Sequence, residues 1–168
     1  FIAPYLGQHV GFSPSVITAL LFVFGVGSIV GNMLGGFFAD QNMNATLYVA
    51  LGSLAFSLLL LFIFGGQPWF TAPWMFVVGA AGFSIIPPLT SKLISAASNA
   101  PNLATTVNIA GFQLANAAGA WIGSTALSLG LGIGVLPVIG AVLAVAAAAL
   151  LWIANRVSFS RVTDGSAT

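Results

Sequence analysis

The sequence predicts an all-α integral membrane protein, a bundle of helices that each cross the bilayer. Three observations lead there. Hydrophobic residues make up 59% of the 168 positions and charged residues only 3%, whereas a soluble domain carries roughly a quarter charged residues. The uncharged stretches before Asp40, from there to Lys92, and from Lys92 to Arg156 are each longer than the about 20 apolar residues of one spanning helix. Their apolar character is continuous, without the period-2 alternation of a lipid-facing β-barrel strand.

The same composition excludes other classes. Disorder needs low hydrophobicity and high net charge. With Cys 0 and His 1, disulfides, thiolate metal sites and cysteine nucleophiles are ruled out. The carboxylates Asp40 and Asp164 are far apart in sequence, so no paired acids and no metal cluster are expected. A net charge of +1 gives nucleic acid no basic face to bind.

Gly, Pro and Asn punctuation divides the chain at residues 7–14, 41–44, 65–73, 98–102 and 130–134. The expected spans are therefore residues 14–39, 45–64, 73–96, 102–129 and 135–156. Ahead of the first lies Phe1-Ile2-Ala3-Pro4-Tyr5-Leu6, apolar and without a basic flank, so not a signal peptide. It reads as the last turns of a further helix, and the chain as a piece of a longer protein. Span 14–39 begins at Ser13-Pro14, an N-cap followed by proline at the first helical position. It carries Gly27, Gly31 and Gly35, whose four-residue spacing clears one face for close helix packing. Span 45–64 carries no distinctive residue. Span 73–96 contains Pro87-Pro88, which remove two backbone donors and predict a kink. Span 102–129 repeats the small-residue stripe as Gly111, Ala115, Gly119 and Gly123. Span 135–156 is again featureless, and the pair of plain spans is expected to act as an outer brace. Residues 157–168 form a polar, loose tail.

Asp40, Lys92 and Arg156 are separated by two spans each, which places them on one side of the membrane. Lys92, Arg156 and Arg161 then all lie on that side, and the positive-inside rule makes it cytoplasmic. The C-terminus is expected inside. Tyr5, Trp69 and Trp74 fall near the outer ends of the spans and Trp152 near the inner end, as an aromatic belt would.

No ionisable residue lies deep in a span, so the usual carriers of ion coupling are missing here. Asp40 ends its own helix, where the macrodipole disfavours an acid; it is either solvated or held by another helix. Lys92 is expected to snorkel to the surface, and His9 to be solvated in a loop. Asn32 is assigned to packing. On span 102–129, steps of 100° gather Asn108, Phe112 and Asn116 into one sector, with Thr105 among them and Gln113 at its edge. The opposite face carries Leu103, Val107, Leu114, Ala118 and Trp121, which suits lipid. The amides serve either as interhelical hydrogen bonds or as the wall of a midplane binding site.

Gly36-Phe37-Phe38-Ala39-Asp40 resembles the G-x-x-x-D core of the loop motif of the major facilitator superfamily, which follows its second helix and recurs after the eighth. Ile2-Ala3-Pro4-Tyr5-Leu6 looks like the end of helix seven, and Gly11-Phe12-Ser13-Pro14-Ser15 like the turn into helix eight. Phe83-Ser84-Ile85-Ile86-Pro87-Pro88-Leu89 looks like helix ten. Ala100-Pro101-Asn102-Leu103-Ala104 and Asn108-Ile109-Ala110-Gly111-Phe112 look like the start of helix eleven. In this order the strings are similar to arabinose-efflux-type permeases of the drug:proton antiporter-1 family.

That resemblance implies the C-terminal helical bundle of such a fold, about helices eight to twelve plus the end of seven. It implies a secondary active transporter in a bacterial inner membrane, exporting a sugar or drug-like small molecule by alternating access without a cofactor. The six-helix N-terminal half, which would carry proton coupling, is then a partner outside this chain. Helix eleven faces the cavity in the family, so the resemblance favours Asn108, Phe112, Gln113 and Asn116 as substrate-binding residues, and Gly36 and Asp40 as gating residues. The motif departs from the family after Asp40, where Gln41-Asn42-Met43-Asn44 replaces the usual basic residues. The alternative reading is a membrane scaffold or assembly subunit. An intramembrane enzyme would need a nucleophile and base or a metal site, and none is spaced for it.

Overall fold

The computed structural model describes residues 1–97 and 100–165, with 101 and 157–165 described by backbone alone. Ser98 and Asn99 of the expected break at 98–102, and 166–168 of the expected tail, lie outside the described residues. Every regular element among the described residues is helical.

A short helix, Ile2–Pro4, winds into a π-helical turn, Tyr5–His9. Gly11, at φ 83°, reverses the chain, a conformation that glycine adopts without steric cost. The next run, Pro14–Phe64, is 51 residues long. At about 1.5 Å per residue it exceeds twice the ~30 Å hydrocarbon thickness. Asn42 divides it, with φ −156° and ψ 95°. Its side-chain Oδ1 accepts the Ala45 N–H at 3.0 Å, and its carbonyl accepts the Thr46 hydroxyl at 2.8 Å. Asn42 is thus the N-cap of a second rod, 43–64, that follows a first rod, 14–41. Removing such a cap costs about 1 kcal/mol. Asn42→Ala is expected to lower the thermal midpoint accordingly while Asn42→Asp leaves it near wild type, as detergent melting curves would show.

Helix Pro68–Phe83 follows, starting five residues earlier than expected because Pro68 rather than Pro73 takes its first turn. Extended Gln67 precedes it, and Pro73 lies inside. The kink expected at Pro87 and Pro88 falls just before them, at Ser84 and Ile85. The prolines instead open a new helix, Ile86–Ala96, where their missing N–H groups would have had no helical partner. Helix Pro101–Ser128 comes next, then Gly130 at φ 81°, a 3₁₀ turn Ile133–Val135, and helix Leu136–Gly165. The tail expected to be loose from 157 is helical as far as Gly165, since no proline follows Pro137 to stop it. Pro14–Phe64, Pro68–Ala96 and Ile133–Arg156 are long and apolar enough to cross a membrane.

The tightest packing joins rods 14–41 and 68–83. Gly27, Gly31 and Gly35 are buried, and a methyl group on each would strike the backbone carbonyl of Phe76, Ala80 and Ser84 in turn. Both series ascend by four, so the two rods run in the same direction with their backbones in contact. Gly79 meets the Phe24 carbonyl from the other side. Near one end of the bundle, Tyr5, Leu6, Leu20, Leu61 and Met75 form a buried cluster. The Tyr5 hydroxyl donates to the Leu61 carbonyl at 3.1 Å, the Thr71 hydroxyl to the Gly65 carbonyl at 2.8 Å, and Trp74 Nε1 to the Ser57 carbonyl at 3.0 Å. The first two bonds reach carbonyls at the end of the helix, where intrahelical partners run out, and the third ties Trp74 to the helix interior.

Candidate functional site

Helix Pro101–Ser128 meets the rest of the bundle at its two ends only. Near its start Ala104 is buried and Asn108 half-buried, and Asn108 Nδ2 donates to the Thr90 hydroxyl at 3.1 Å. Near its end Gly123 and Ala126 are buried, with Gly123 against the Phe1 ring. Every residue from 109 to 121 is exposed.

The structure therefore separates the four candidate binding residues. Asn108 is turned into the bundle, and its amide already has a partner. Phe112 is 51% exposed. Asn116 Nδ2 reaches Gln113 Oε1 at 3.5 Å, one turn along the same helix and on its exposed surface. Neither of the two main cavities among the described residues is lined by any of the four. A cavity of about 270 Å³ does open beside Gly119, but its walls, including Phe1, Tyr5, Met75 and Leu136, are apolar.

The second small-residue stripe needs correction. Gly111, Ala115 and Gly119 are exposed, and a methyl group on Gly111 or Gly119 would meet nothing within 4 Å. Only Gly123 packs closely. The spacing matches that of Gly27, Gly31 and Gly35, but no other described helix of this chain lies across from it. Asn32, assigned to packing, is also exposed.

Gly36 is half-buried, its nearest neighbour in the Cβ direction being Pro87 Cβ at 3.9 Å. Asp40 is exposed, and its carboxylate has no partner among the described residues. His9 lies over Gly134, with its ring centroid 5.0 Å from that of Tyr5.

Sequence reasoning missed the most connected polar group. Lys92 Nζ donates to Asn44 Oδ1 and to Asn155 Oδ1, both at 2.6 Å. Asn155 Nδ2 in turn donates to the Tyr48 hydroxyl at 3.2 Å and lies 3.5 Å from Asn44 Oδ1. Lys92 is half-buried in this network, which ties rod 43–64, helix Ile86–Ala96 and helix Leu136–Gly165 together. The two spans that read as featureless supply two of its four side chains, Tyr48 and Asn155, and the expected break at 41–44 supplies Asn44. The available signal was Asn44 and Tyr48, one turn apart on one helix face beside a membrane end.

Comparison with known proteins supports a transport role. The chain is 38% identical to the inner membrane transport protein YdhP of Escherichia coli (strain K12) over 156 residues, covering 93% of this chain and 40% of that protein. It is 33% identical to the MFS-type transporter YfhI of Bacillus subtilis (strain 168), covering 76% of this chain and 32% of the relative. It is 30% identical to a probable sugar efflux transporter of Helicobacter acinonychis (strain Sheeba), covering 90% of this chain and 38% of the relative. The chain thus spans about two fifths of the length of the curated relatives it matches. No family model and no solved structure matches it. These relatives are transport proteins rather than enzymes, and a charge-poor, all-helical bundle with membrane-length helices is the architecture such proteins need. The chain belongs to the major facilitator superfamily of membrane transporters.

Proposed function

We propose that this chain is the C-terminal half of a secondary solute-efflux transporter with five complete spans, working by alternating access against a six-helix partner half. The observation that carries this reading is the uncovered middle of helix Pro101–Ser128. Gln113 and Asn116 sit there exposed, on a helix long enough to cross the bilayer. In hydrocarbon such amides lack the partners that water would supply. A wet pathway between two halves provides those partners, and transporter sites lie near the midplane at such an interface. The uncovered stripe Gly111, Ala115 and Gly119 lets a second helical body approach the same stretch. The two-fifths coverage of its relatives leaves room for that body.

Phe112, Gln113 and Asn116 form the substrate wall in this reading, while Asn108 positions the start of the helix through Thr90. Asp40, free of partners among the described residues, is available to gate against the other half with Gly36 beside it. The substrate is a sugar or drug-like small molecule, sugar being the class in the name of the Helicobacter relative. Proton coupling belongs to the other half, and the C-terminus lies in the cytoplasm. A scaffolding subunit would instead pair these amides with the helices of its partner.

Reconstitution tests this. Vesicles holding this chain alone are expected to show no saturable sugar flux above protein-free vesicles. Joined to the polypeptide that completes it to the length of its relatives, the chain is expected to support saturable flux. Saturable flux through the chain alone would overturn the two-half reading, and absence of flux in the completed protein would favour the scaffold.

A further inference from the structure

We propose that Lys92, Asn44, Tyr48 and Asn155 form a seat for a phosphate-type oxyanion, supplied by a phospholipid headgroup at the membrane surface. The inference stands apart from the transport reading and holds whichever solute the protein moves.

The hydrogen-bond valences of the network point to it. Lys92 has three N–H donors and gives two of them to Asn44 Oδ1 and Asn155 Oδ1. Asn155 Nδ2 is engaged by Tyr48 and Asn44. Left over are one N–H of Lys92, the Nδ2 hydrogens of Asn44 and the hydroxyl hydrogen of Tyr48. Donors outnumber acceptors among the remaining valences, the acceptors being lone pairs of Asn155 Oδ1 and the Tyr48 hydroxyl oxygen, and the group as a whole carries one positive charge. The Asn orientations are fixed by chemistry, since only their oxygens can face an ammonium.

No carboxylate of the described side chains balances that charge. Asp40 is the one acid among them, and it has no ion-pair partner there. A half-buried ammonium whose partners are neutral amides, with spare donors left in the same cluster, is complementary to an oxyanion, and charge-assisted bonds to phosphate are the strong ones.

Position selects the headgroup as the source. Lys92 lies four residues before the end of span Pro68–Ala96, and Asn155 one residue before the end of span Ile133–Arg156. Arg156 stacks over the Trp152 ring, its Cζ 4.3 Å from the ring centroid, and both side chains are exposed. Trp and Arg at a span end mark the interfacial layer. Exposed Leu150 and Ile153, at 67% and 50%, continue the same helix as lipid-facing surface. A phospholipid lying at this interface places its phosphate at the level of Lys92. Basic pockets between transmembrane helices favour anionic headgroups.

Lys92 is the only lysine in the sequence, so its acetylation by an amine-reactive ester, read by peptide mass spectrometry, reports on the seat directly. The full chain in a non-phosphate detergent would be labelled with dioctanoyl phosphatidylglycerol, dioctanoylglycerol or inorganic phosphate present at equal concentration. The phospholipid is expected to slow Lys92 acetylation about tenfold and dioctanoylglycerol less than about twofold, the difference being the charge-assisted contact. Tyr48→Phe, which removes one donor, is expected to cut the protection to about threefold. Protection by inorganic phosphate equal to that by the lipid would keep the seat but overturn the headgroup as its source. Equal labelling with phosphatidylglycerol and dioctanoylglycerol in the unaltered chain would overturn the seat itself.

Discussion

Gly31→Leu is expected to lose the folded bundle, with the thermal midpoint in detergent falling too far for a native transition to be seen. Gly31 is buried, and even one methyl group there would run into the Ala80 carbonyl. That neighbour is helical backbone and cannot swing aside as a side chain can. Gly27 and Gly35 clamp the same pair of rods one turn to either side, so the helices cannot part at one point alone. Overpacking a core with a few methylenes costs about 1–3 kcal/mol where side chains can give way. A whole leucine against fixed backbone lies at or above the top of that range, a large share of the roughly 5–15 kcal/mol that holds a typical domain together. Gly52 provides the contrast. It is exposed on rod 43–64 with nothing within 4 Å of its Cβ direction. Gly52→Ala is expected to raise stability by up to about 1 kcal/mol through helix propensity. Equal melting of Gly31→Leu and wild type would contradict the parallel backbone contact.

The comparison of the two glycine stripes shows what a linear sequence holds and what it withholds. Four-residue spacing reports that one face of a helix is small, because side chains at i and i+4 share a face. It does not report what stands opposite. Gly27, Gly31 and Gly35 meet a second rod of this chain, whereas Gly111, Ala115 and Gly119 meet none. The helical class and the main breaks were legible for a different reason: charge scarcity and Gly, Pro and Asn punctuation act locally. Asn42 shows the limit of that signal, since its role as a cap rather than a loop residue rests on one bond to Ala45. Of the Lys92 network only the Asn44 and Tyr48 pair, one turn apart on one helix face, was legible. The partners of Lys92 lie 48 and 63 residues away in sequence, one in an expected break and one at the end of a span whose hydrophobicity hid it. The candidate site was legible by residue type on one helix, but its division into an inward Asn108 and outward Gln113 and Asn116 depends on where helix Ile86–Ala96 stands.

Accessibility along helix Pro101–Ser128 decides between a transport pathway and a lipid- or helix-facing surface. With Cys 0, single cysteines can be introduced without background. Phe112 and Asn116 share one face of this helix, and Leu114 and Ala118 the opposite one; all four are exposed within this chain. Whatever covers them must come from lipid, water or a second half. In the proposed reading, a pathway in the completed transporter wets the first face and leaves the second in hydrocarbon. Cysteines at Phe112 and Asn116 are therefore expected to react with a membrane-impermeant thiol reagent at least about tenfold faster than those at Leu114 and Ala118. A transported solute is expected to slow the first pair only. A cysteine at Asn108, drawn inward towards Thr90, is expected to react at an intermediate rate. Labelling without this helical periodicity, or equal protection of both faces, would contradict the assignment of Gln113 and Asn116 to a substrate pathway and return them to the role of interhelical contacts.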